Sequence, residues 1–423
     1  MVSILIVKRS RLQIKHMFRT ILLLLIILLL EWYSFQALKI WVQPFSLSAK
    51  RIIWGVYGVG SVLAWSYILL GFTNLDDGYS KWLRIYGRAG VFVWFVAKLP
   101  IAGVLLIDDL RRFLSWGINY FAGEARFNPS RSRFMAKAAL IMGGIPFSML
   151  TYGMVRNGFR YRLIEEEVPI QGLPQELAGL KVVQISDMHS GSWTDNAPLQ
   201  RAVDLINEQE ADIVCFTGDI VNNLAREMHP FIPTFKQIRA KYGVYSIMGN
   251  HDYGDYHRYN TPGGYERNRE EFYQVHRDLG WDLLLNENRL LDINGQQLAL
   301  IGVENWSAIP RFPRKGDLAK AYEGSQQAAA RILLSHDPTH WEAQVQDYPD
   351  IDLMLAGHTH GFQFGIEIPG FRWSPAQFMY KQWAGLYKKG RQHLYVNRGL
   401  GFLGYPGRVG ILPEVTLLRL VPA

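Results

Sequence analysis

The sequence predicts two architectures in succession: an all-α membrane region over residues 1–158, then a layered α/β domain over residues 159–423. Three observations predict this. Four apolar stretches of bilayer-spanning length crowd the first third of the chain. From about Arg160, short runs rich in Val, Ile and Leu alternate with polar stretches of helical periodicity. Asp, Asn and His recur immediately after several of those runs, the edge where open α/β sheets bind ligands.

The apolar stretches are 18–41, 51–72, 90–107 and 134–155. Spans of roughly 18–24 residues match a hydrocarbon core of about 30 Å. A signal peptide would account for the first alone. Glu31 and Lys98 sit within or near these stretches, where an ionised group costs about 2.5–3.5 kcal/mol, so they are expected to face each other.

Positive charge divides between the segment before the first span (Lys8, Arg9, Arg11, Lys15, Arg19) and the loop before the fourth (Arg111, Arg112, Arg126, Arg131, Arg133). Four spans place these on opposite sides, so the positive-inside rule is split. A start at Met17 would remove most of the first cluster. Ser130-Arg-Ser-Arg-Phe-Met-Ala-Lys137 looks like a degenerate twin-arginine export signal. Both features favour a catalytic domain outside the cytoplasm.

In the second region the strand-like runs are 182–185, 213–216, 244–248, 283–285, 298–303, 332–334, 353–356, 394–396 and 415–420. Leu199–Glu208, Tyr265–Leu279 and Leu318–Ala330 read as helices. Asp187 and His189 follow the first run. If the backbone there is extended, i and i+2 side chains share a side and converge on one ion. Thr217-Gly-Asp219, Gly249-Asn-His-Asp252, Ser335-His-Asp337 and Gly357-His-Thr-His360 each end a later run. Asp252 is expected to orient its turn rather than bind metal.

Carboxylate, amide and imidazole without thiolate suit Mn, Fe or Zn. Two Asp, one Asn and three or four His exceed the needs of one ion. They suit two divalent ions about 3.5–4 Å apart, bridged by a carboxylate and by a water that is deprotonated near neutral pH and attacks phosphorus. An imidazole spared from ligation can protonate the leaving oxygen.

These five motifs, in this order from Val182 to His360, resemble the calcineurin-like metallophosphoesterase superfamily. The resemblance implies a four-layer αββα sandwich. It implies Asp187, His189 and His360 around one ion and Asn250, His336 and His358 around the other, with Asp219 bridging. It implies His251 acting on phosphate and leaving oxygen, with Asn250 beside it. The tail, with Gly361-Phe-Gln-Phe-Gly365, Trp383-Ala-Gly-Leu-Tyr387, Val396-Asn-Arg-Gly-Leu-Gly401 and Pro413-Glu-Val-Thr416, is similar to a branch of membrane-associated bacterial phosphodiesterases and pyrophosphatases. That branch implies the bacterial inner membrane. Ile-Val-Asn-Asn follows Asp219 where relatives often carry a further Asp, leaving Asn222 or Asn223 to bond His251 or the groups around the ligands.

The remaining residues bound the function. A net charge of +8 with no basic nucleic-acid motif argues against nucleic acid and for anionic headgroups or phosphate. The single Cys215 lies in an apolar run and reads as a structural thiol. His340 reads as a surface or helix-packing residue, and His229, His257, His276 and His393 as ordinary ones. Tyr253, Tyr256, Tyr259 and Tyr265 beside Arg258, Arg267 and Arg269 form either a recognition loop or a solvated insertion. Trp373, Phe378, Tyr380, Trp383 and Tyr387 with Lys381, Lys388 and Lys389 form either an interfacial face or core. The expected function is hydrolysis of a phosphodiester or pyrophosphate, lipid- or nucleotide-linked, by a membrane-anchored binuclear-metal enzyme. The alternative is a non-catalytic sensor or scaffold on the same fold. Asp187 lies only about 30 residues beyond the last span, which makes lipid-linked phosphates the first substrates to test.

Overall fold

The computed structural model describes the backbone of residues 2–71, 79–122 and 129–423, and the side chains of 17–71, 79–118 and 131–423. Phe72 and Arg126, and the side chains of Lys8, Arg9, Arg11, Lys15 and Ser130, lie outside the described residues. The chain forms two compact units, residues 1–151 and 152–423.

The first unit is built from α1 (Val2–Trp41), α2 (Leu47–Gly71), α3 (Lys81–Val96), α4 (Lys98–Ala122) and most of α5 (Pro129–Val155). Among the described residues, four segments are long and apolar enough to cross a bilayer: Met17–Trp41, Leu47–Gly71, Lys81–Ile118 and Arg131–Val155. The third is longer than the 90–107 expected, because α3 and α4 run on from one another across a break at Ala97. Pro100 explains the break: its ring collides with the carbonyl of Val96 and it has no N–H to return. At that break Lys98 turns inward. Its Nζ lies 2.6 Å from Glu31 Oε2, as expected of two ionisable groups in apolar surroundings. Ser61 Oγ donates to the other Glu31 oxygen at 2.5 Å, and the ammonium lies over the Trp94 ring at 4.4 Å. Gly143 of α5 lets the helices approach, since a Cβ there would come 2.6 Å from the carbonyl oxygen of Ala97.

The second unit holds two six-stranded sheets and a two-stranded hairpin among the described residues. The strands of the first sheet are β1 (Arg162–Ile170), β2 (Lys181–Ile185), β3 (Ile213–Phe216), β4 (Val244–Ser246), β5 (Asp282–Leu283) and β14 (Glu414–Pro422), in the order β1-β14-β2-β3-β4-β5. Those of the second are β6 (Glu287–Ile293), β7 (Gln296–Gly302), β8 (Ala330–Leu334), β9 (Leu353–Ala356), β12 (Gly385–Lys389) and β13 (Gln392–Val396), in the order β12-β13-β9-β8-β7-β6. Within each sheet, β2-β3-β4-β5 and β7-β8-β9-β13 run parallel, flanked by antiparallel neighbours.

Strand alternation builds the layers. Val182, Ile213 and Cys215 pack with Leu300, Ile332, Leu334 and Leu353 in a core between the sheets. Val183, Ile185, Val214 and Phe216 point the other way, against Leu199, Val203 and Ile206 of α6 (Ala197–Asn207), Phe235 of α7 (Ile232–Phe235) and Phe272 and Val275 of α8 (Gly264–Leu279). Ile301, Leu333 and Met354 cover the far face with Leu318 and Ala321 of α9 (Leu318–Tyr322) and Trp341 of α10 (Thr339–Ala343). The result is an αββα sandwich. The helix expected over 318–330 stops at Tyr322: Gly324 adopts a left-handed backbone, and Ala330 begins β8.

Candidate metal centre

Each sequence motif hangs from the C-terminal end of a strand. Asp187 and His189 follow β2, Asp219 follows β3, Asn250 and His251 follow β4, His336 follows β8, and His358 and His360 follow β9. Both sheets therefore contribute to one buried edge. The backbone that delivers these groups is not extended, contrary to the reading of Asp-x-His as an i, i+2 pair on a strand. Asp187, His189, Asp219, His358 and His360 all have positive φ, between 49° and 71°. Non-glycine residues are rare there, at a cost of about 1–3 kcal/mol each, and persist only where their surroundings fix them.

Those surroundings are visible. The buried Asp252 carboxylate accepts the backbone N–H of Asp219 at 2.7 Å, of Ile220 at 2.9 Å and of Gly249 at 2.8 Å, clamping two site loops together as its turn-orienting reading requires. Gly249 is obligatory because a Cβ would lie 2.2 Å from Asp219 Oδ1, and Gly357 because a Cβ would lie 2.2 Å from Asp187 Oδ2. Below the site Gln184 Nε2 donates to Thr217 Oγ1 at 3.1 Å and across to the Ala356 carbonyl at 2.9 Å, tying the sheets together.

The side chains fall into two donor groups, Asp187/His189/His360 and Asp219/His336/His358. His189 Nε2 lies 3.0 Å from His360 Nε2, which lies 3.2 Å from Asp187 Oδ1. His358 Nδ1 lies 3.1 Å from His336 Nε2, which lies 3.2 Å from Asp219 Oδ2. The same Asp219 oxygen is 3.6 Å from His189 Nε2, so one carboxylate faces both groups. Two ligands on one ion at about 2.1 Å are themselves separated by about 3.0–3.4 Å, the spacing seen here. The His336 ring is fixed for this role, since Nδ1 donates to the Thr217 carbonyl at 2.7 Å and leaves Nε2 bare. Asn250 Oδ1 is buried without a hydrogen-bond partner among the described residues, as a ligand oxygen would be. The residues thus fit a pair of divalent ions.

Electrostatics agree. Burial opposes charge on His336, yet the Asp219 carboxylate raises its pKa to about 10. Burial likewise works against ionised Asp187 and Asp219, but neighbouring imidazoles, His360 for the first and His336 for the second, hold both well below the usual carboxylate range. Burial, the largest cause at His189 and His358, pushes both imidazoles below their ordinary value, so two ionised carboxylates stand among rings held towards the neutral, ligating form.

His251 stands beside the first group, its ring centre 5.0 Å from that of His189. Its Nδ1 donates to the Asn222 carbonyl at 2.7 Å, so Asn222 bonds His251 through its backbone, while its side-chain amide donates to Ser192 Oγ at 3.0 Å. Nε2 is left for chemistry. Asn250 Nδ2 donates to Tyr256 OH at 3.0 Å.

Three further residues reach the site that the sequence did not tie to it. Tyr380 OH lies 2.9 Å from His358 Nε2. Arg311, exposed, donates to Met379 Sδ at 3.5 Å, and its charge acts on the Tyr380 and Tyr256 hydroxyls. Arg408 is fully buried and donates to the carbonyls of Arg398 (2.8 Å), Gly399 (3.1 Å) and His360 (3.3 Å). Tyr253 and Trp383 are core, at 0% and 5% exposure. His340 is buried and stacked on Trp306, and His276 is buried in α8.

Residues 180–362 match the family described as "Calcineurin-like phosphoesterase", and residues 17–158 match "Probable Calcineurin-like phosphoesterase, transmembrane domain". The uncharacterized metallophosphoesterase YkuE of Bacillus subtilis is 30% identical over 68% of this chain and 93% of its own length. The chain belongs to the calcineurin-like phosphoesterase family. A zebrafish (Danio rerio) transmembrane protein with metallophosphoesterase domain is 29% identical over 85% of this chain and 78% of its own. The phosphodiesterase YaeI of Escherichia coli is 28% identical over 69% and 99%. As a member of this family the chain is an integral membrane phosphoesterase, of a kind that uses divalent metal ions.

Proposed function

We propose that the chain is a membrane-anchored phosphoesterase that holds two divalent ions and hydrolyses a phosphodiester or pyrophosphate with a lipid- or nucleotide-linked part. Asp187, His189 and His360 would hold one ion, and Asn250, His336 and His358 the other, with Asp219 shared. The observation that carries this reading is Asp219 Oδ2, 3.2 Å from His336 Nε2 and 3.6 Å from His189 Nε2. When bound, the ions would offset charge on the phosphate oxygens and supply a nucleophilic water at neutral pH. The residues do the rest. His251, with Nδ1 committed to the Asn222 carbonyl, would deliver a proton from Nε2 to the leaving oxygen. Asn250 beside it would orient the phosphate. Arg311, with Tyr256 and Tyr380, would bind a non-bridging phosphate oxygen at the rim. The name of the Escherichia coli relative supports the phosphodiester class. The donor set suits Mn, Fe or Zn. The export-like segment 130–137, at the start of α5, supports an inner-membrane protein whose catalytic unit faces away from the cytoplasm.

The test is hydrolysis by the full chain in nanodiscs, with each metal in turn, of a phosphomonoester, a phosphodiester, a nucleotide pyrophosphate and a lipid-linked pyrophosphate. Turnover confined to the diester or pyrophosphates supports the proposal. Bound metal with no turnover on any of them supports the sensor or scaffold instead.

A further inference from the structure

A short hairpin near the metal centre is built inside out. β10 (Ile366–Ile368) and β11 (Phe371–Trp373) pair antiparallel, with Ile366 opposite Trp373, Glu367 opposite Arg372 and Ile368 opposite Phe371. Alternation sends the middle pair to one face and the outer pairs to the other. The charged pair leans on the protein, Glu367 half-buried and Arg372 exposed but packed along aromatic rings. Glu367 is ion-paired to the buried Arg398 and lies 3.5 Å from Arg162. Arg372 stacks on the Trp383 and Tyr387 rings at 5.4 and 5.8 Å. The apolar face is left outside: Ile366, Ile368 and Phe371 are 48%, 58% and 52% exposed. Phe364 extends the patch at one end, and Phe378, 81% exposed, is the most exposed large apolar side chain of the second unit.

We propose that this face is a lipid-docking surface, which the catalytic unit lays into the headgroup–acyl boundary of a bilayer. In water a small hairpin hides its apolar side, and a contiguous exposed apolar patch marks an interaction site. The occupant follows from the chain itself. Its membrane spans tether it to a bilayer, which is therefore the apolar phase present at high effective concentration throughout its life. The residues are aliphatic and Phe, with the basic Arg311 against Met379 next to Phe378, while Lys381 is ion-paired to Glu342, a mix of apolar side chains and a basic rim that suits an interfacial element. On the phosphoesterase reading above, the surface would also lead lipid-phase substrate to the metal centre: Phe362 packs 6.5 Å from Tyr380, whose hydroxyl meets His358.

The test does not depend on turnover. The native Cys215 is fully buried, and burial pushes its thiol pKa up, so an introduced cysteine takes a maleimide or iodoacetamide fluorophore selectively. Ile368→Cys, Phe371→Cys on the other strand and the exposed control Lys236→Cys are labelled with nitrobenzoxadiazole in the full chain. Each is placed in phosphatidylcholine–phosphatidylglycerol nanodiscs with or without brominated lipid. The expected result is blue-shifted emission at 368 and 371 that bromine quenches, with Lys236→Cys water-like and unquenched. Quenching should be strongest from bromines near the headgroup, because interfacial elements insert only about 5–10 Å. Water-like, unquenched emission at both hairpin sites would overturn the proposal. Blue-shifted emission that bromine does not touch would also overturn it, because protein, such as a second copy of the chain, would then cover the face.

Discussion

Each unit of this chain buries charge, in opposite ways. In the membrane unit Glu31 and Lys98 neutralise each other at 2.6 Å, and Ser61 takes the remaining carboxylate oxygen. That arrangement is closed. In the catalytic unit two carboxylates and four imidazoles crowd one edge with their lone pairs aimed at common points, and Asn250 Oδ1 has no partner among the described residues. That arrangement is complete only with cations. A buried charge by itself therefore says little about function, whereas one whose partners leave donors unspent identifies a site.

The largest effect should come from the carboxylate that faces both donor groups. Asp219→Asn keeps the shape and removes the charge, and kcat for a phosphodiester should fall about a thousandfold, roughly 4 kcal/mol of barrier. A loss below tenfold would break the contrast. The membrane pair should behave as a closed unit. Lys98→Met strands Glu31 and should cost about 3 kcal/mol in thermal unfolding of the full chain, most of it recovered in the Lys98→Met, Glu31→Leu double variant. If each single replacement is as harmless as the double, the pair is not closed.

These two tests also show what the sequence discloses. Buried strands were legible because they are continuous apolar runs, as in β2, β3, β8 and β9. The strands of the large sheets that escaped notice, β1, β6 and β12, are edges whose half-exposed alternation carries charges such as Glu165, Glu166 and Glu167. The eight motif residues were legible because each directly follows a strand. The left-handed backbone that aims five of them was not, since it is imposed by contacts such as the Asp252 carboxylate on three backbone N–H groups. Arg408 and Arg311 carried no signal because they come from loops outside the motifs, and Tyr380 was legible only as one of several aromatics. The aromatic stretch from Trp373 to Tyr387 had two readings open. Tyr380 and Trp383 prove to be core while Phe378 is exposed, and spacing could not have separated them.

Two smaller effects sharpen the comparison. His276 and His340 are buried away from the donor groups, and burial lowers their pKa from 6.5 to about 4. The unfolded chain therefore takes up protons first. Their contribution is complete above pH 6.5 and is lost as pH falls towards 4, about 2 kcal/mol per histidine by pH 5. Chemical denaturation of the full chain at pH 7 and pH 5 checks this, and His340→Gln should remove its share. Stability that does not change across that window would contradict it. Arg311→Ala should raise KM about tenfold with kcat little changed, because it removes a contact to phosphate and no reacting group. An equal fall in kcat would move Arg311 into the chemistry.

Asp219 is the residue that would join two cation sites, and counting metal tests that directly. Mass-spectrometric metal analysis of the full chain, loaded with Mn and freed of unbound ion, should find two ions per chain and no more than one in Asp219→Asn. One ion or none in the natural chain, or two retained by the variant, would contradict it.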